Sequence, residues 1–215
     1  MLKLGAGTYR RMPWKNGGGV TLEIAIAPAG SGLEDFDWRI SSAHVEAAGP
    51  FSSFPGIDRS LALLGGERMT IVLAGRRTEL VRGGPPLSFE GDVPIHAELP
   101  AGAVADFNVM TRRGRWTHHL AWMHLDAECR SRADADVVLL HCAAGAVLAR
   151  WDGGGAAVLE VGDSLIVEDA SHPLVHLEPS GPASLLVVRL WRCRPDMPAE
   201  SQASAASAPS SSRDG

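Results

Sequence analysis

Between Arg59 and Leu99 the chain alternates short apolar runs with glycine and proline turns, and that rhythm narrows the folds open to it. Leu61–Leu64, Met69–Leu73, Thr78–Val81, Leu87–Phe89 and Ile95–Leu99 are divided by Gly65-Gly66, Ala74-Gly75, Gly83-Gly84-Pro85-Pro86 and Gly91-Asp92. Short strands with such punctuation build antiparallel sandwiches or barrels. The rhythm returns in Val137–Cys142, Val147–Trp151, Ala157–Val161, Leu165–Val167, Leu174–Leu177 and Leu185–Leu190, with Asp152-Gly153 as a hairpin signal. No amphipathic helix of more than a few turns interrupts it. The chain therefore reads as all-β.

The first residues follow the same logic. Residues 1–12 predict a short strand broken by Gly5 and Gly7. Pro13-Trp14-Lys15-Asn16 then leads into Gly17-Gly18-Gly19, a run suited to a turn or to close backbone approach. From Val20 the residues alternate, with Val20, Leu22, Ile24 and Ile26 expected on one face and Thr21, Glu23 and Ala25 on the other. Phe36–Ser41 alternates too, placing Arg39 and Ser41 opposite Trp38 and Ile40. A rigid loop with Pro50 and Pro55 follows, pinned by Phe51 and Phe54. Val104–Met110 sets Asp106, Asn108 and Met110 against Phe107 and Val109; polar side chains on so apolar a strand need hydrogen bonds.

Composition excludes several classes. With 45% hydrophobic residues in 215, the chain can fill one large or two small cores. A net charge of −5 and no long basic run argue against nucleic acid as a partner. The three cysteines share no metal-type spacing and read as reduced thiols of a cytoplasmic protein. Neither a signal peptide nor a membrane span is expected. Alternation lapses and charges cluster between about Trp116 and Asp136, so two halves are expected, 1–120 and 121–194. The Pro/Ala/Ser-rich residues 195–215 are expected to form a disordered tail.

The eight histidines invite a metal site, but no His-x-His pair with a following carboxylate occurs, and neither a metal nor a cofactor is expected. Gly17–Gly19 opens into a strand, whereas phosphate cradles open into a helix. No Gly-x-Ser-x-Gly or Cys–His context supports a nucleophile. Cations and amides on rigid β-elements remain: Lys15, Asn16, Arg39, Arg59 and Asn108, with Trp14 and Phe51 near them in sequence. Arginine beside aromatic walls suits a small planar anion, held by paired hydrogen bonds and stacking. The structural alternative is that Arg39 pairs with Glu23 or Asp58.

Five blocks carry a resemblance: Pro13–Ile24, Phe36–Ser41, Gly49–Arg59, Phe89–Asp92 and Asp106–Gly114. In that order they resemble the HutD/Ves family, over about half the chain. The resemblance implies a cupin-like bicupin, two jelly-roll β-sandwich halves with few short helices, associated with bacterial histidine utilisation. It further implies a regulator binding a small anionic metabolite, a carboxylate or imidazole compound such as urocanate or N-formylglutamate, expected from the histidine spacing to be metal-free. The candidate ligand residues are Trp14, Lys15, Asn16, Arg39, Arg59 and Asn108. An enzyme of the cupin class (isomerase, hydrolase or dioxygenase) and a protein-interaction module remain the alternatives, with a homodimer as an open oligomeric state.

Overall fold

The computed structural model describes residues 1–14, 17–152, 154–168 and 173–194. Lys15, Asn16, Gly153, His172 and the expected tail at 195–215 lie outside them. The early strands are β1 (Leu2–Leu4), β2 (Arg10–Pro13), β3 (Gly19–Ala27), β4 (Trp38–Val45), β5 (Gly49–Pro50) and β6 (Ile57–Gly65). Next come β7 (Arg68–Leu73), β8 (Arg76–Val81), β9 (Leu87–Glu90), β10 (Ile95–Glu98) and β11 (Val104–Arg112). The later strands are β12 (Trp116–Leu125), β13 (Cys129–Arg132), β14 (Val137–Ala144), β15 (Val147–Trp151), β16 (Gly155–Leu159), β17 (Ser164–Val167), β18 (Leu174–Pro179) and β19 (Ala183–Arg192). Among the described residues the only helix is a 3₁₀ turn at Ala6–Thr8, and no helix is long and apolar enough to cross a membrane.

Four sheets make two sandwiches. The sheets β2-β3-β4-β11-β6-β9 and β5-β10-β7-β8 enclose Leu61, Leu63, Met69, Ile71, Ile95 and Val104. The sheets β1-β17-β14-β19-β12 and β13-β18-β15-β16 enclose Leu140, Val147, Leu159, Leu165 and Leu185. The two larger sheets then pack back to back through Trp38, Ile40, Phe107, Val109, Leu139, Leu186 and Val188. Their central strands are buried on both faces, which is why Val137–Leu140 reads as an unbroken apolar run. The all-β, two-sandwich expectation holds.

Two expectations change. Ile24 is an extra residue in a bulge, where the β3–β4 register shifts between Glu23 and Ala25. An inserted residue reverses the faces beyond it. Thr21 and Glu23 therefore share a face with Ile26, which pairs with Arg39 and packs near Phe36, Ile57 and Met110. Ile26 does not share the face of Val20 and Leu22. The second change concerns 116–136, where alternation lapses and the division between halves is expected. Trp116–Leu125 is the edge strand of the five-stranded sheet, and its half-exposed histidines blur the alternation. The expected division at 120 falls inside this strand, and the chain changes sheets at residues 113–115.

The chain also crosses between sandwiches at its start. β1 pairs with β17 of the second sandwich before β2 joins the first. Lys3 Nζ lies 2.7 Å from Asp163, and the Ala6 amide donates to the same carboxylate at 3.0 Å. The Tyr9 hydroxyl donates to the Gly162 carbonyl at 2.7 Å and meets Ser164 at 2.9 Å. These contacts clasp the first residues onto the second sandwich.

Candidate functional site

A polar cluster occupies the interior of the first sandwich. Strand register assembles it: Glu23 on β3 lies beside Ser41 on β4, Ser41 beside Asn108 on β11, and Met110 between Arg39 and Arg59. Asp106 sits one inward-facing position before Asn108. The alternation expected in Phe36–Ser41 and Val104–Met110 sets Arg39, Asn108 and Asp106 opposite Trp38, Phe107 and Val109, and the structure turns that face into the first sandwich. Glu23, Arg39, Arg59 and Asn108 each keep 5–8% exposure, whereas Leu61 beside them has none.

The two arginines differ in their partners. Arg39 Nε donates to Glu23 Oε2 at 2.7 Å, and its Nη1 reaches Ser41 Oγ at 3.4 Å. Asp58, the other partner considered for Arg39, instead binds Arg113 on the surface at 2.9 Å. Arg59 makes no ion pair among the described residues. Its Nε and Nη2 each lie 3.4 Å from Asn108 Oδ1, and its Nη1 lies 3.3 Å from the Ser52 carbonyl. Three phenylalanines surround the guanidinium, with Phe89 at 5.1 Å and Phe51 and Phe54 both at 5.4 Å. Such ring contacts favour a desolvated cation. Burial pulls Arg59 down to about 10, so it remains charged at neutral pH.

The loop carrying Phe51 and Phe54 is fixed from outside. The Phe54 amide donates to the Gly91 carbonyl at 2.9 Å, and the Gly91 amide to the Ile57 carbonyl at 2.7 Å. A Cβ on Gly91 would sit 2.7 Å from the Phe54 carbonyl oxygen, so glycine is required there. Asp92 accepts from the Gly56 amide at 2.9 Å and from Arg113 at 2.9 Å. Those two hydrogen bonds hold its carboxyl below the usual range. Gly91, Asp92 and Arg113 were not singled out as site residues, yet they hold the aromatic wall of Arg59.

Trp14 stands at the β2–β3 end. Its Nε1 donates to Thr21 Oγ1 at 2.8 Å, and its ring covers Gly19. Gly17 takes the left-handed conformation, with φ of 70°, that the glycine run suggested. Lys15 and Asn16 lie outside the described residues.

Asp106 is fully buried. Burial pushes its carboxyl up to about 7, although Arg59 and a hydrogen bond with the Ala43 backbone act to lower it. His141 is buried as well, and His118 is partly buried. His118 lies between Thr111 Oγ1 at 2.7 Å and Ser60 Oγ at 2.9 Å; His141 meets Ser164 Oγ at 2.9 Å. Burial holds both rings down at about 4. Among the described residues no group of three His, Cys, Asp or Glu side chains could hold a metal.

These groups set an acid-stability expectation. Between about pH 4 and 6.5 the unfolded chain carries two protons on His118 and His141 that the folded chain lacks. Asp106 opposes this, since the folded chain holds one proton there between about pH 4 and 7. The unfolded state thus keeps a net excess of about one proton. Stability should be full near pH 6.5 and fall by roughly 1.4 kcal/mol per pH unit toward pH 4. Urea unfolding at pH 6.5 and 5 measures it; equal unfolding free energies would contradict the burial of these histidines as neutral rings.

Comparison with known proteins extends what the geometry shows. The chain is 35% identical over 178 residues to a 21.2 kDa protein of the hutC 3′ region of Pseudomonas putida, covering 83% of this chain and 92% of that one. It is 38% identical over 110 residues to protein Ves of Cronobacter sakazakii, covering 49% of this chain and 59% of Ves. Among solved structures, HutD from Pseudomonas fluorescens SBW25 in a formate condition matches with 33% identity and a TM-score of 0.72. That match covers 89% of this chain and 98% of HutD. A cupin 2 conserved barrel protein from Leptotrichia buccalis, 12% identical with a TM-score of 0.54, covers 80% of this chain and 88% of its own, and shares the fold alone. The blocks that build the arginine cage fall within residues 6–185, where the HutD family model matches, and the chain belongs to that family, a bicupin by its fold.

Proposed function

We propose that the protein binds a small carboxylate- or imidazole-type metabolite, of the urocanate or N-formylglutamate class, in the first sandwich and thereby regulates histidine utilisation. One observation carries the binding reading: Arg59 is buried, charged and walled by three phenylalanines, with long hydrogen bonds and no carboxylate paired to it among the described residues. Its fork matches a carboxylate, and the rings suit a planar group beside it. Arg39 is already neutralised by Glu23, so it supports the site and Arg59 receives the ligand. Asn108 holds Arg59 in place, and Trp14 closes the β2–β3 end. The relative of the hutC 3′ region and the HutD structure support the metabolic context.

A thermal-shift screen of urocanate, N-formylglutamate, glutamate and histidine tests this reading. A ligand at a hundred times its dissociation constant should add about 2.7 kcal/mol, a shift of a few degrees. Arg59→Met should weaken that ligand at least tenfold, as expected when a buried charge partner is removed. No shift with any compound, or an equal shift in Arg59→Met, would sink the proposal.

A cupin enzyme acting on the same metabolite is the second reading. Asp106 favours it, because a carboxyl held near neutral pH suits general acid–base work. Product formation lost in Asp106→Asn would decide for it; binding without turnover decides for the sensor.

A further inference from the structure

We propose that the mouth of the seam between the two sandwiches binds an uncharged planar ring bearing a carbonyl group, and that the Ser88 hydroxyl donates to that carbonyl. This second site lies apart from the arginine cage and does not depend on the carboxylate reading. The edge strand β9 of the first sandwich and the edge strand β12 of the second border an open groove of about 550 Å³. Pro85, Pro86, Ser88, His118, Trp122 and His124 line it, and among the described residues no Asp, Glu, Lys or Arg does.

A row of hydrogen bonds runs from the seam out to this groove, and its polarity is fixed at the buried end. Thr111 is wholly buried, and its hydroxyl has one partner among the described residues, His118 Nδ1 at 2.7 Å. A buried hydroxyl proton without an acceptor is costly, so Thr111 donates and Nδ1 is the bare nitrogen. His118 is neutral, held down at about 4 by burial, so its one ring proton sits on Nε2. That N–H donates to Ser60 Oγ at 2.9 Å. Ser60 is buried too, and its other partner is Ser88 Oγ, its neighbour across the β6–β9 pair, at 2.7 Å. Ser60 therefore donates to Ser88. Ser88 is exposed, and its own proton is left for the groove.

The rest of the groove selects a flat, apolar body. The Trp122 and His124 rings lie parallel within 6°, with centroids 6.1 Å apart. Trp122 Nε1 donates to the Gly84 carbonyl at 2.9 Å, which ties the Gly83–Pro86 turn to β12 and fixes the indole. His124 Nδ1 lies 2.9 Å from Ser184 Oγ, which holds the second ring. Fixed aromatic rings with two prolines and a single oriented donor are the usual make-up of a small-molecule cleft. A carboxylate or phosphate entering here would give up its hydration and find no cation among the lining groups. A carbonyl needs only the one donor. An aromatic carboxamide meets both conditions, its ring against the indole and its oxygen on Ser88.

Nicotinamide is a minimal probe, and nicotinate presents the same ring as an anion. In an NMR titration of the nitrogen-15-labelled protein, nicotinamide should move the Trp122 indole N–H signal. Ser88→Ala should weaken nicotinamide about fivefold, the worth of one hydrogen bond. Nicotinate should bind the wild type about tenfold more weakly than nicotinamide does. The relay has a readout of its own that needs neither ligand nor Ser88 variant. In the ligand-free wild type, long-range proton–nitrogen correlations of the His118 ring, assigned by their loss in His118→Gln, should show the proton on Nε2 and a bare Nδ1. A proton on Nδ1 instead would overturn the relay and the Ser88 donor with it, as would unchanged nicotinamide affinity in Ser88→Ala. A Trp122 signal that stays in place throughout would overturn the site. Nicotinate binding as tightly as nicotinamide would overturn the uncharged ligand class.

Discussion

Arg39→Met should lower the unfolding free energy of the ligand-free protein by about 3–5 kcal/mol. Glu23 and Arg39 are both buried, and their 2.7 Å contact is the close ion pair of the interior. Truncating the arginine leaves Glu23 with Arg10 alone, 3.8 Å away on an exposed side chain. A buried carboxylate so exposed to its own desolvation must either protonate or draw in water, and both destabilise the fold. Because replacing both partners of a buried pair by apolar groups is often near neutral, Glu23→Leu/Arg39→Met should regain most of the loss. Urea denaturation of the wild type, the single and the double variant measures this. An Arg39→Met midpoint equal to that of wild type would show that the pair contributes nothing, and would reopen Arg39 as a ligand clamp.

The second large effect concerns the seam between the sandwiches. Leu139 is wholly buried where the two larger sheets meet, so Leu139→Ala should cost about 2–5 kcal/mol, the lost transfer energy plus a cavity. Removing the seam altogether should do more. A chain ending at Gly114 would leave Trp38, Ile40, Phe107 and Val109 facing water and β1 without β17. We expect it to associate or to lack a cooperative transition, since so large an apolar face is not tolerated on a monomer. A monomeric, cooperatively unfolding fragment 1–114 would show instead that each sandwich is stable by itself.

Much of this arrangement was legible in the sequence because the period of two is a local property. Alternation alone set Arg39 opposite Trp38, and Asp106 and Asn108 opposite Phe107; it did not say which face would enter the first sandwich, because both faces are buried. The register between strands is not local. The bulge at Ile24, which no residue type announces, is what sets Ile26 rather than Ala25 beside Arg39. The cage around Arg59 depended on still longer connections. Phe89 stands opposite it across a strand pair, and the loop with Phe51 and Phe54 is tied down by Gly91, Asp92 and Arg113. Proline, glycine and phenylalanine in Gly49–Arg59 signalled a rigid loop but not what it would cover. At β12, edge position and three histidines hid a strand, since a half-exposed edge with one buried ring carries no clean alternation.

The central claim is that a carboxylate occupies the guanidinium fork of Arg59 inside the first sandwich. A crystal structure of the protein grown with N-formylglutamate tests it most directly. The account predicts ligand density with a carboxylate about 3 Å from the Arg59 nitrogens, between the Phe51 and Phe89 rings. It also predicts that the Glu23–Arg39 contact stays intact. Density elsewhere with the Arg59 fork still directed at Asn108 and Ser52, as on the outer groove lined by Pro85, His119 and Trp122, would contradict it.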